Sequence, residues 1–391
     1  MTNLPRGWEV KKLGDIAEIS SGGTPSRNKK EYWENGTIPW VKIKDIKENF
    51  ISTTEEFITE DGLKNSSAKL FKKETLLYSI FATLGEVAIL DIDATTNQAI
   101  AGINIKENNT NSLYLMYFLK SIKDKICSKG RGVAQNNLNL SILKQIQIPL
   151  PPLKEQERIV GILDESFAKI DESIKILEQN LLNLDELMQS ALQKAFNPLK
   201  DNAKENYKLP QGWEWKSLEE ISENISAGGD KPKNCTESKT AKNQIPVYAN
   251  GVNNNGLVGY TDKATIIKPS LTISARGTIG FVCIRKEPYF PIVRLISLIP
   301  CENILCLHYL YFCLNFFIAK GEGSSIPQLT IPKFKSLQIP LPPLKEQEQI
   351  AKHLDFVFEK TKALKELYTK ELKDYEELKQ SLLDKAFKGE L

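Results

Sequence analysis

The sequence predicts an α+β protein built twice: two mixed α/β domains separated by two long helices that form an antiparallel coiled coil, with an internal pseudo-two-fold repeat. Three observations carry this. Gln147-Ile-Pro-Leu-Pro-Pro-Leu-Lys-Glu-Gln-Glu157 returns letter for letter at Gln338 to Glu348, and self-similarity of this kind marks a duplicated architecture. Ser190-Ala-Leu-Gln-Lys-Ala-Phe196 follows the first copy at the distance at which Ser381-Leu-Leu-Asp-Lys-Ala-Phe387 follows the second, so one helix length is fixed in both halves. Between these landmarks apolar residues recur in alternating steps of three and four, the seam of a coiled coil.

In chain order the elements are a first globular domain over 1–147, a first helix over 148–196, a polar linker over 197–208, a second globular domain over 209–338 and a second helix over 339–391. The two globular domains are distant relatives. Leu4-Pro-Arg-Gly-Trp-Glu9 matches Leu209-Pro-Gln-Gly-Trp-Glu214, and Ser20-Ser-Gly-Gly-Thr-Pro25 stands beside Ser226-Ala-Gly-Gly-Asp-Lys-Pro232. Ala82-Thr-Leu-Gly-Glu-Val-Ala-Ile89 and Gly277-Thr-Ile-Gly-Phe-Val-Cys-Ile284 correspond, as do Leu113-Tyr-Leu-Met-Tyr-Phe118 and Leu307-His-Tyr-Leu-Tyr-Phe312. Short β-branched runs at 38–43, 87–92 and 271–274, bounded by Gly, Pro and Asn, read as strands. Residues 113–120 and 307–315 read as short helices. Trp8 and Trp213, at matched positions, are expected to anchor the two cores.

The first long helix carries Val160, Leu163, Phe167, Ile170, Ile174, Leu177, Leu181, Leu184, Met188, Ala191 and Ala195 on one seam. Pro151 and Pro152 suit its first turn, where a missing N–H costs nothing, and Glu155 and Glu157 complement the positive end of its dipole. Pro198 stops it. The second helix presents Leu354, Val357, Leu364, Tyr368, Leu372, Tyr375, Leu378 and Leu382 on a less regular stripe interrupted by Thr361. Each rod is about 65 Å long at about 1.5 Å per residue. A return connection through a globular domain favours an antiparallel pair.

Composition excludes several function classes. The N-terminal residues lack the apolar core of a secretory signal, so a cytoplasmic location is expected. The most apolar run, 304–319, contains His308 and Asn315 and is too short to span a membrane; it reads as a buried helix. Six cysteines without a C-x-x-C pair, and only two histidines, argue against zinc and for reduced thiols. No phosphate-binding loop, dinucleotide fingerprint, metalloprotease helix, nucleophile elbow or Asn/Asp-Pro-Pro-aromatic motif is present, so the chain is expected to bind and not to catalyse, with no metal site. The net charge is +3, but the two long helices together are net negative and the excess positive charge lies in the rest of the chain, which suits a phosphate-rich partner. Two related but divergent modules joined by rods suggest two contact surfaces at a set separation; on DNA these would meet two half-sites. A protein-interaction scaffold and a self-contained methyltransferase are the alternatives.

The Leu-Pro-x-Gly-Trp-Glu start, the Gly-Gly-Thr-Pro loop, the Gly-Thr-Ile-Gly strand and the Ile-Pro-Leu-Pro-Pro-Leu-x-Glu-Gln stretch, present twice, resemble the specificity subunit of type I restriction-modification systems over essentially the whole chain. The resemblance implies two target-recognition domains, each followed by a spacer helix. It implies double-stranded DNA as ligand, two docked methyltransferase subunits, and motor-nuclease subunits in the full complex. S-adenosylmethionine, ATP and magnesium would then belong to those partners, with no cofactor bound by this chain. The sequence departs from a strict repeat where Asp230-Lys-Pro stands for Thr24-Pro and Leu84-Gly-Glu for Ile279-Gly-Phe.

Candidate DNA-binding residues follow from residue chemistry. Gly22, Gly23, Thr24, Ser26 and Arg27 form a polar loop whose N–H groups suit phosphate, and Gly229, Lys231 and Lys233 are its counterpart. Lys42 and Lys44 are expected on one face of a strand, and Arg276 sits beside a glycine turn. Asn136 and Asn137 carry the amide that pairs with adenine.

Overall fold

The structure is a computed structural model that describes residues 4–106, 108–130, 138–196, 209–318, 321–322 and 329–391. It falls into two compact units, Met1–Leu177 with Lys370–Leu391, and Glu178–Thr369. Neither unit coincides with one half of the repeat, because each contains the beginning of one long helix and the end of the other.

The first unit contains strands β1 (Glu9–Lys12), β2 (Ala17–Ser21), β3 (Ile38–Val41), β4 (Phe50–Ile51), β5 (Phe57–Ile58), β6 (Leu76–Ser79), β7 (Val87–Leu90), β8 (Thr95–Thr96), β9 (Ile100–Ile105) and β10 (Gln147–Leu150). Its helices are α1 (Leu13–Ile16), α2 (Glu60–Lys64), α3 (Ser112–Ser121), α4 (Lys123–Gly130), α5 (Leu140–Lys144) and the start of α6 (Leu153–Phe196). The main sheet runs β2-β9-β6-β7-β4, and a smaller one runs β5-β3-β8. β6 and β7 are buried along their whole length because both faces are covered. Side chains alternate across a strand, so Leu76, Tyr78, Val87 and Ile89 meet α3 while Leu77, Ala88 and Leu90 meet a second cluster with Val41, Ile51 and Phe71. α3 is buried from Tyr114 to Leu119, and its N-cap Asn111 accepts the Tyr114 N–H at 3.0 Å.

The second unit repeats the plan with β11 (Glu214–Ser217), β12 (Ser222–Ala227), β13 (Ile245–Tyr248), β14 (Leu257–Thr261), β15 (Ser270–Ile273), β16 (Thr278–Ile279), β17 (Val282–Arg285), β18 (Phe290–Pro291), β19 (Ile296–Pro300), β20 (Gly321–Glu322) and β21 (Gln338–Leu341). Its helices are α7 (Leu218–Ile221), α8 (Leu307–Phe317), α9 (Ile331–Lys335) and the start of α10 (Leu344–Ala386). The main sheet is β12-β19-β15-β17, and the smaller one is β14-β13-β18.

The duplicated stretch is a strand before it is a helix. Gln147 to Leu150 pairs antiparallel with β1, Glu9 opposite Leu150 and Lys12 opposite Gln147. Gln338 to Leu341 pairs with β11 in the same register. The two sequence landmarks of each half therefore meet in one ribbon, and the long helices start at Leu153 and Leu344, not at 148 and 339. The glutamine of the motif explains its sameness. Gln156 is fully buried; its amide donates to the carbonyls of Asn109 (2.9 Å) and Pro151 (2.8 Å) and accepts the Asn111 N–H at 2.8 Å. Gln347 does the same with Ile304 (2.8 Å), Pro342 (2.8 Å) and the Cys306 N–H (2.9 Å). One buried amide thus ties the root of each long helix to the loop that enters α3 or α8.

Within the first unit the long helices run antiparallel: Arg158 reaches the Leu391 carbonyl at 2.8 Å, and Asp171, further along α6, pairs with Lys379. Within the second, Asp185 pairs with Lys365. On α6 the seam residues Leu163, Ile170, Leu177 and Leu184 are buried, and Phe167, Ile174 and Leu181 are half-buried. On α10 Leu354 is buried, and Val357, Tyr368, Leu372 and Tyr375 are half-buried. Leu364 and Leu378 depart from the expected stripe. They are 38% and 45% exposed, while Thr361, expected to interrupt the stripe, is 2% exposed. The Thr361 hydroxyl donates to the Val357 carbonyl at 2.6 Å, which removes the cost of burying it.

The far ends of the helices close the cores. Phe387 packs edge-on against Tyr114 and Phe118 in the first unit, and Phe196 packs against Tyr309, Phe316 and Phe317 in the second. Trp8 packs on the first core and Trp213 is buried. Among the described residues no helix is long and apolar enough to cross a membrane, no metal-holding cluster is found, and five cysteines are free.

Candidate nucleic-acid interface

In the first unit the glycine loop leaves β2 tightly held. The Gly22 N–H donates to the Ile100 carbonyl at 3.0 Å and the Gly23 N–H to the Thr96 carbonyl at 2.9 Å. A Cβ on Gly22 would lie 2.0 Å from the Thr96 hydroxyl, and one on Gly23 2.3 Å from the Ser67 main chain. These glycines serve close backbone packing. Their N–H groups are engaged within the sheet, which corrects the expectation that they face a phosphate.

The loop is then pinned by two tryptophans. Trp40 donates its indole N–H to the Gly23 carbonyl at 3.0 Å, and Trp33 to the Ser26 carbonyl at 3.1 Å. The Thr24 hydroxyl bonds the Gln98 side chain. Arg27 lies over both rings, 3.6 Å from the Trp33 centroid and 4.7 Å from that of Trp40, a favourable cation–π geometry. Its guanidinium pairs with Glu56 at 2.6 Å, and Lys42 pairs with the same carboxylate. Burial pushes the Glu56 carboxyl up, but hydrogen bonds from Lys42 and Arg27 outweigh it and hold the group below its ordinary value. Lys44 pairs with Glu55. The strand ends at Val41 and residues 43–45 form a single tight turn, so Lys42 and Lys44 do not share the strand face expected of them. Arg27 and Lys42 are brought together, and Lys44 turns to a separate partner.

In the second unit the Gly228 N–H donates to the Leu295 carbonyl at 2.8 Å, as Gly22 does to Ile100. Gly229 accepts the Val293 N–H at 2.8 Å and has open space where a Cβ would be. Lys231, Lys233 and Arg276 are exposed. Asn136 and Asn137 lie outside the described residues.

The two units share main-chain bonding at their tips while their side chains differ. Ser79 receives the Gly85 N–H and bonds Glu86 through its own, and Ser274 does the same with Gly280 and Phe281. Ala82 and Gly277 occupy the same place, both left-handed at φ 59° and 70°. The tip that bears Phe81 and Ala82 in the first unit bears Arg276 and Gly277 in the second. The neighbouring turn is closed alike, by the Ile100 N–H on the Asn97 carbonyl at 3.3 Å and the Leu295 N–H on the Ile292 carbonyl at 3.0 Å, so Gln98 and Ala99 in the first unit stand where Val293 and Arg294 stand in the second, and only the second pair is left-handed. Nothing local in the sequence marks Glu56, Gln98, Asn250 or Arg294 as site residues, whereas the interleaving of Arg27 with Trp33 and Trp40 is a signal for those two tryptophans.

The comparisons agree with this plan. The chain is 28% identical over 378 residues to the MjaIX type I restriction enzyme specificity subunit of Methanocaldococcus jannaschii, covering 87% of this chain and 84% of that one. It is 30% identical over 340 residues to a putative type I specificity subunit of Mycoplasma pneumoniae, covering 81% and 88%. Among solved structures, a chain described under complex assembly and conformational transition of the type I R-M system superposes with a TM-score of 0.84 over the full length of both chains at 22% identity. The HsdS subunit from Thermoanaerobacter tengcongensis gives 0.61 at 22% identity, covering 100% and 98%; both show a shared fold. The family model for the type I restriction modification DNA specificity domain matches residues 5–182 and 210–374. With one such match in each half and most of the chain covered, this protein belongs to the type I restriction-modification DNA specificity family.

Proposed function

We propose that the chain is the DNA sequence-recognition subunit of a type I restriction-modification complex and that it reads an asymmetric two-part target, one half per unit. The observation that supports this best is the tip between Ser79 and Glu86 and its counterpart between Ser274 and Phe281, which have a common main-chain scaffold and different side chains. A repeated scaffold keeps the mode of approach to DNA, and a changed set of donors and apolar groups changes the bases that are preferred. Arg27 and Lys42, now held by Glu56, and the exposed Lys231 and Lys233 would position the backbone by meeting phosphates.

In this reading the chain is non-catalytic, lies in the cytoplasm, and docks two methyltransferase subunits, with motor-nuclease subunits added in the full assembly. S-adenosylmethionine, ATP and magnesium would be held by those partners. The duplicated helix roots, with Gln156 and Gln347 in identical roles, would offer one partner surface twice.

The test is the methylated motif of the complex formed by this chain and its methyltransferase partner. A motif of two defined halves separated by unread base pairs is expected. Inserting four residues in each long helix adds about 6 Å and should lengthen the unread spacer by about two base pairs. A single contiguous motif, or an unread spacer unchanged by the insertions, would reject the two-reader arrangement.

A further inference from the structure

We infer that the Val293–Arg294 turn is the base-reading element of the second unit and that Arg294 contacts a guanine edge; this rests on the DNA reading proposed above. Val293 and Arg294 are consecutive non-glycine residues in the left-handed region, at φ 54° and 60°. A β-branched residue there is a genuine outlier, and such strain collects at functional sites when the surroundings enforce it. Here they do. The Val293 N–H donates to the Gly229 carbonyl at 2.8 Å and the Arg294 N–H to the Gly228 carbonyl at 2.9 Å. The Asn250 amide donates to the Val293 carbonyl at 2.7 Å and accepts the Ala275 N–H at 2.9 Å. One side chain thus rivets this turn to the tip that carries Arg276.

The first unit shows what the rivet changes. There the Ile80 N–H bonds the Ala99 carbonyl directly at 2.8 Å, whereas the corresponding Ala275 N–H is taken by Asn250. The result is a turn whose flanks, Ile292 and Leu295, are 3% and 2% exposed while Val293 between them is 52% exposed. Arg294 is exposed beside it. Core packing explains the flanks and does not explain an outward valine held in a costly conformation. A guanidinium fork matches the O6 and N7 acceptors of guanine in the major groove, and an adjacent branched apolar side chain suits a thymine methyl group. A fixed backbone beneath them supplies the preorganisation that base discrimination needs.

The experiment uses the complex of the full chain with its methyltransferase partner, and duplex probes in which each guanine of the motif is replaced in turn by 7-deazaguanine, which lacks the N7 acceptor. The parent should lose about tenfold or more in binding at one guanine of one half-site. Arg294→Gly, whose glycine suits the left-handed turn and so preserves folding, should be indifferent to that replacement. Arg294→Lys, which keeps the charge but not the fork, should keep the salt dependence, lose about tenfold in affinity for the parental motif and relax the same position in the methylated motif. The proposal is overturned if parent and Arg294→Gly respond alike at every guanine, or if both variants keep the parental motif unchanged. A parent complex that methylates no defined motif would instead sink the DNA reading itself.

Discussion

The ring of Phe387 meets that of Tyr114 edge-on with centroids 5.2 Å apart, so the end of one long helix is a core residue of the unit in which the other long helix begins. Truncation should therefore act at a distance in sequence. Phe387→Ala is expected to destabilise the first unit by about 3–5 kcal/mol, the usual cost of removing a buried aromatic ring. Phe196→Ala should do the same to the second. Hydrogen exchange resolved by segment checks this: Phe387→Ala should lower protection over 76–119, and lowered protection over 270–318 instead would contradict the assignment.

The buried amides of Gln156 and Gln347 supply a second prediction. Gln156→Ala leaves the Asn111 N–H and the Asn109 and Pro151 carbonyls without their partner, at about 1–3 kcal/mol. Gln179→Ala, on the exposed side of α6, should change stability by less than about 0.5 kcal/mol. Denaturant unfolding of both variants compares them directly; equal midpoints would remove the structural reason offered for the motif.

Ala82 and Gly277 make a reciprocal pair. Both are left-handed, a conformation that costs an L-residue about 1–2 kcal/mol relative to glycine. Ala82→Gly should raise the melting temperature and Gly277→Ala should lower it, although the added Cβ on Gly277 meets nothing within 4 Å. Gly22→Ala should be worse than either, because its Cβ would strike the Thr96 carbonyl at 2.4 Å.

Glu56 gives a pH dependence of known sign. Its folded value is lowered from 4.5, so its contribution is fully present above pH 4.5 and is lost as pH falls through the lower folded value. Acid titration of the first unit's stability should show this loss, and Glu56→Gln should flatten it. The same variant releases Arg27 and Lys42 from their shared carboxylate, so DNA binding at low salt should tighten and its salt dependence steepen. An unchanged salt slope would place these two cations away from phosphate.

Much of the architecture was legible in the sequence because it rests on long periodicities. The eleven-residue identity and the seam through Leu163, Ile170 and Leu177 fix the helices, and the matched Trp8 and Trp213 locate the two starts. What escaped reading depends on contacts between residues far apart. Nothing local distinguishes Gln147 to Leu150 as a strand until Glu9 to Lys12 lies beside it. Thr361 outranks Leu364 on the packed face because a hydroxyl can bond its own helix. The left-handed turn at Val293 was hidden for a stronger reason, since both residue types avoid that conformation and only Asn250, Gly228 and Gly229 enforce it.

The interleaved make-up of the units sets a schedule for synthesis. Chains fold as they leave the ribosome, N-terminal domain first, at about 5–20 residues per second. The first unit lacks Leu382, Leu383, Ala386 and Phe387 from its core until everything between Leu177 and Lys370 has been made, a wait on the order of ten to forty seconds. The second unit is one continuous stretch and completes its core earlier, although all of it is encoded later than the first unit's sheets. The nascent first unit must persist with its Tyr114 and Phe118 surface uncovered, which makes translation speed through residues 178–369 a determinant of yield.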